Sequence, residues 1–165
     1  MAVASKIISP LVTPSLTDSS STAKLPVGTI VHTDMGGVAE YVVAGGAISA
    51  YCAVLIYEQG TAAMLTTTLA ADAGSGKKVG CVQTSIASAY YGWAMRQGTF
   101  IMRLSDDCAD NVPLFTTANA GELDDATISN CLVAGVYLPV TASLATALTV
   151  VAATPMYVHP YTNPA

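Results

Sequence analysis

Charge is scarce in this chain. Only 10% of its 165 residues are Asp, Glu, Lys or Arg, against roughly a quarter in an ordinary soluble domain. Six are basic, Lys77 and Lys78 are the only adjacent pair, and the net charge is −5. Nucleic acid is thereby excluded as a partner, because phosphate binding needs clustered cations to displace counterions. Histidine is nearly absent: His32 and His159 are the only two, and the one nearby metal-ligating side chain is Asp34. That spacing makes a hydrogen-bonded pair rather than a zinc site. Four cysteines, Cys52, Cys81, Cys108 and Cys131, lie more than twenty residues apart, with no CxxC or Cys/His cluster. They read as free buried thiols. With no secretory leader, they point to synthesis in a reducing cytoplasm.

Catalytic signatures are missing too. Gly74-Ser75-Gly76-Lys77 resembles a phosphate loop, but Ala71 stands where the first Gly belongs and Lys78 where the Mg²⁺-binding hydroxyl belongs. It reads as a turn. No GxGxxG follows a strand and GxSxG is absent, so no enzyme activity, cofactor or metal is expected. Two uncharged stretches, 41–57 and 126–158, invite a membrane reading. The first is only just long enough to span. The second is broken by Pro139 and Pro155, and neither has flanking cations to set topology. No membrane partner is expected.

What the chain has in abundance is small and apolar. Hydrophobic residues make up 52%, and a monomer of this composition is expected to expose apolar patches of the kind that mark association sites. A homo-oligomer follows. Residues 1–24 are Ser-, Thr- and Pro-rich and read as an extended or disordered arm, with residues 25–165 as the folded domain. Ile7, Ile8, Pro10, Leu11, Val12, Pro14 and Leu16 are the arm's candidate partner-interface residues, able to add a strand to a neighbour's sheet edge.

From residue 25 onward, short Val, Ile, Thr and Tyr runs are separated by Gly, Asp and Asn, the punctuation of an all-β chain. The expected fold is a β-sandwich or β-barrel-like domain. Strands are read at 28–33, 38–43, 50–57, 64–68, 78–84, 91–97, 99–104, 113–116, 131–138 and 148–158. Ser143 to Val151 is a possible helix that its Thr and Val content pushes toward strand. Tyr91, Trp93 and Met95 share one face of 91–97, and Phe100, Met102 and Leu104 one face of 99–104. Gly98 between them predicts a tight hairpin or a bulge, and this pair is the candidate core. The other strands are apolar on both sides, as strands covered on both faces are; a second sheet of the same domain and a neighbouring subunit are the expected covers. Val54-Leu55-Ile56 and Val79-Gly80-Cys81-Val82 are echoed by Val112-Pro113-Leu114-Phe115 and Val133-Ala134-Gly135-Val136, as two related β-units would give. Asp106, Asp107, Asp110, Glu122, Asp124 and Asp125 form two acidic loops without the EF-hand pattern. An acidic rim could meet a basic patch on a partner.

Five segments together resemble the capsid cement or head decoration proteins of tailed bacteriophages. They are Val-Gly-x-Val-Gln at 79–83, Tyr-Gly-Trp at 91–93, Leu-Phe-Thr-Thr at 114–117, the Ala-Gly-x-Leu-Asp-Asp turn at 120–125 and Val-x-Gly-Val at 133–136. The resemblance covers about half the chain. It implies a non-enzymatic virion structural protein, trimeric or otherwise clustered, that binds the major capsid protein on the capsid exterior and reinforces the lattice. A self-assembling shell, fibre or tail-tube subunit is an alternative. A third reading is a sugar- or small-ligand-binding domain using Tyr90, Tyr91 and Trp93 beside Arg96.

Overall fold

The computed structural model describes residues 15–73, 76–126, 131–139 and 147–160. The chain is all-β. Its strands are β1 (Ile30–His32), β2 (Val38–Ala44), β3 (Ala53–Ile56), β4 (Thr61–Met64), β5 (Lys77–Val82), β6 (Tyr91–Arg103), β7 (Leu114–Thr116), β8 (Leu123–Asp124), β9 (Cys131–Tyr137) and β10 (Ala147–Pro160), with one short helix, α1 (Thr67–Ala73).

The pairings close into a ring. β2 runs parallel to β4, β4 pairs with β3, β3 with β5, β5 with β6, and β6 returns to β2. A five-stranded ring has a narrow interior, so its inward side chains must be small. They are: Ala44, Ala62, Ala94 and Val82 join Val42, Val54, Ile56, Ile48, Ile86 and Cys52 in one buried cluster. Gly80 shows how tight the space is. A Cβ there would lie 2.9 Å from the Ala94 Cβ and 3.0 Å from the Ile56 Cδ1.

The remaining strands trace the same circuit. The second part of β6 pairs with β10, β10 with β9, β9 with β7 and β7 with β8. A parallel bridge from Leu104 to Leu123 closes this second ring. The echoed segments therefore fall on corresponding strand pairs, β3 with β5 and β7 with β9. A direct pairing of β5 with β10, at Lys78 and Tyr157, ties the rings together.

β6 serves both rings, and Gly98 is the hand-over point. Its φ of +110° is one that glycine adopts readily, and a Cβ would meet the Gly37 Cα at 2.8 Å. Of the hairpin or bulge expected here, the hairpin does not form: β6 is one continuous 13-residue strand with an irregular register against β2, and Gly98 lets it change partners without reversing. Arg96 occupies the register shift just before it, between the Val38–Gln97 and Ala39–Met95 pairs.

Outward faces of the first ring are buried as well. Tyr41, Leu55, Val79, Cys81, Trp93 and Met95 join Phe100, Met102, Leu104, Leu114, Val133 and Val150 in the larger core. The two-sided apolar strands are thus covered by the chain itself, and no neighbouring subunit is needed for that cover. Burying one leucine-sized side chain is worth about 1.5–3 kcal/mol.

Three local expectations differ from the structure. The strand expected at 64–68 lies earlier, at β4, and the following Thr and Ala residues form α1. Thr66 caps that helix through its hydroxyl, which accepts from the Leu69 N–H at 3.2 Å. The possible helix near 143–151 is strand from Ala147, where ladder bonds to β6 prevail over the Ala and Leu propensity. Residues 143–146 lie outside the described residues. Within the expected arm, residues 15–24 pack onto the domain: Leu16 is 1% exposed, Ser20 bridges to Tyr91, and the Lys24 N–H donates to the Tyr41 hydroxyl.

Candidate interaction surface

Among the described residues, large apolar side chains are almost all inside. Among the described residues only Ile30 (60%), Met35 (49%), Tyr90, Tyr157 and Tyr137 are substantially exposed. The two most exposed sit on one hairpin, β1 and its turn into β2. This strand is at the end of the sheet order, and its hydrogen bonding can be worked out from its neighbours. Tyr41 N–H donates to the Thr29 carbonyl and Thr33 N–H to the Gly37 carbonyl. Bonded positions alternate in an antiparallel pair, so Val31 faces Ala39 and the backbone groups of Ile30 and His32 turn away from β2. An open edge with exposed apolar side chains is a template for pairing with another chain.

Leu16 faces the chain's own core, so contact with a partner would require it to leave that core. Ile7, Ile8, Pro10, Leu11, Val12 and Pro14 lie outside the described residues. The aromatic platform of the ligand-binding reading does not form. Trp93 is 1% exposed and tilts against Tyr41 at 4.9 Å between ring centroids, while Tyr91 also stacks on Tyr41. Arg96 is buried, its Nη1 on Glu40 at 2.7 Å and its Nη2 on the Met156 carbonyl.

Buried polar side chains act as structural ties. The Gln83 carboxamide donates to the Ile101 carbonyl at 2.9 Å and accepts from the Ile101 N–H at 3.2 Å, supplying what a neighbouring strand would. Thus the Gly and the Gln of the 79–83 motif both have structural duties, one inside the first ring and one between the rings. Glu122, grouped with the acidic loops on sequence, is buried. It accepts from Ser105 and Asn119 and pairs with Arg103 at 3.4 Å. Asp106, Asp107 and Asp110 are exposed, and Asp124 and Asp125 half-buried.

All four cysteines are free and buried. Burial pushes the Cys108 thiol up to about 11, with the nearby Asp124 and Asp125 carboxylates adding to the rise against a backbone hydrogen bond that lowers it. Burial likewise raises Cys52 and, further, Cys81. Cys108, Asp124 and Asp125 place ligand atoms within 4.8 Å of one another. There the neutral thiol donates to Asp124, and Asp125 accepts from the Ala109 N–H. A metal ion would need the thiolate that this environment disfavours.

No protein-family model and no curated protein matches the chain. Among the described residues, no helix is long and apolar enough to cross a membrane.

Proposed function

We propose that the chain is a non-enzymatic virion structural protein, a cement or decoration protein that binds the major capsid protein on the outside of a phage capsid and stabilises the lattice. The observation that carries this reading is the β1–β2 hairpin. Among the described residues, nearly every other large apolar side chain is hidden, while Ile30 and Met35 stand on an open strand edge. Such an edge offers backbone hydrogen bonds and apolar contact together, and many weak copies of one contact add up on a repeating lattice.

The resemblance to decoration proteins supports the same reading, since its motifs lie on the strands and turn that build the two rings. Clustering as a homo-oligomer, with a trimer favoured by that resemblance, belongs to the proposal, as does a place on the capsid exterior.

The test is co-sedimentation with expanded, undecorated heads of the cognate phage. Wild-type protein is expected to pellet with the heads to saturation, and Ile30→Asp with Met35→Asp to bind about tenfold more weakly or worse while remaining folded. Failure of the wild type to pellet would overturn the proposal. Unaltered binding by the variant would remove the hairpin from it. Spontaneous growth of the purified chain into very large particles would favour the shell or tube alternative.

A further inference from the structure

The chain gathers its few cations. Three of the six, Lys77, Lys78 and Arg96, meet at one corner where β5 lies beside the end of β10. Lys78 Nζ and Arg96 Nη1 both hold Glu40, at 2.9 and 2.7 Å, and Lys77 reaches Glu58 at 3.7 Å. Three cations against two carboxylates leave the corner with surplus positive charge in an acidic protein. Arg96 lies beneath Tyr157, its guanidinium carbon 5.4 Å from the ring centroid, and its buried Nε has no hydrogen-bond partner among the described residues. Above it, Lys77, Lys78, Glu58, Ile56 and Tyr157 wall an open groove of about 370 Å³. Both lysines reach solvent, their side chains 39% and 40% exposed.

The opposite charge collects elsewhere. Asp106, Asp107 and Asp110 are exposed on the loop after Leu104, and no Lys or Arg occurs between 104 and 126. Asp107 adopts a φ of 61°, as at the apex of a tight turn. The two regions lie toward opposite ends of β10, whose Ala147 stands beside Arg103 and whose Tyr157 stands beside Lys78.

We infer that the acidic 105–110 loop of one copy docks in the Lys77–Lys78–Tyr157 groove of a second copy. The contact is head to tail, so repetition closes a ring if the rotation permits. Opposed charges steer the encounter and fix the register, and Tyr157 supplies the apolar floor. This self-association stands apart from capsid binding: it concerns a different face, and the two can fail separately.

Sedimentation velocity on the full chain tests it, with Lys77→Glu and Asp107→Lys as variants. Neither residue hydrogen-bonds Glu40, so the buried ion cluster is spared, and circular dichroism checks the fold. Wild-type protein is expected to associate at about 50 mM NaCl and to weaken about tenfold or more at about 500 mM, where screening shortens to a few ångströms. Each variant alone is expected to associate about tenfold more weakly. An equimolar mixture of the two should regain association, because the reversed groove of one then meets the reversed loop of the other. Wild type that stays single at about 100 µM in low salt, association that neither variant alters, or a mixture that recovers nothing would each overturn the inference. A variant that no longer self-associates yet still pellets with heads would show that capsid binding does not depend on this contact.

Discussion

The two rings share a strand and a circuit of pairings but are closed by different means. In the first, β2 pairs along most of its length with β6 and also holds β4, so backbone bonds and tightly fitted small side chains complete the barrel. In the second, closure among the described residues rests on the Leu104–Leu123 bridge, and side chains bond strand backbone as ladder partners would. Gln83 serves Ile101, Thr116 accepts from the Cys131 N–H, and Glu122 gathers Arg103, Ser105 and Asn119. One circuit can thus be sealed by backbone or by buried polar side chains, and the second solution depends on individual residues.

The largest expected break comes at the cation cluster beside the ring junction. Glu40→Ala strands Arg96 as a buried charge and is expected to cost about 3–5 kcal/mol, read as a lower urea midpoint. Next is Gln83→Leu, which leaves the Ile101 N–H unpaired and its carbonyl with the Cys81 thiol alone, and should cost about 1–3 kcal/mol. If the second ring is the side-chain-dependent one, its amides will lose hydrogen-exchange protection in this variant more than those of β2 and β3.

Alkaline pH sharpens the same contrast. Cys108, in the second ring's loop, titrates at about 11 when folded against 9.0 for an unperturbed thiol. Between these values the folded state holds more protons than the unfolded, so stability falls as pH rises through that window. The loss from Cys108 approaches about 2 kcal/mol, and Cys108→Ala should flatten that slope in urea melts taken from pH 8 to 11. The smallest effect is Gly80→Ala, in which one methyl enters the filled first ring and is expected to cost about 1–2 kcal/mol. Gly135→Ala in β9 tests the counterpart strand, though its φ of +92° adds strain of its own.

Much of this architecture is legible in residue order. Alternation in 91–104 identifies the Trp93, Met95, Phe100 and Met102 face that becomes core, and the Val-rich echoes land on paired strands. Two-sided apolar strands correctly signal double burial. Their cover, however, comes from the second ring, because folding one short circuit against another encloses more surface than composition alone reveals. Gly98 signals a hairpin or a bulge, and the irregular register beside it matches the bulge, since a positive φ serves a change of partner as well as a reversal. The cluster of Lys78, Arg96 and Glu40 is invisible in sequence: its members are 18 to 56 positions apart, and it is the β2–β6 and β5–β6 pairings that unite them. The exposed hairpin is equally hidden, because Ile30 resembles many buried residues until β1 is seen to lack an outer neighbour among the described residues.

Cryo-electron microscopy of expanded heads incubated with the purified protein is the most direct test of the central claim. The account predicts added density on the outer capsid surface at lattice-related positions, with the Ile30 and Met35 hairpin turned toward the shell. Heads whose outer surface stays bare at saturating protein would contradict it.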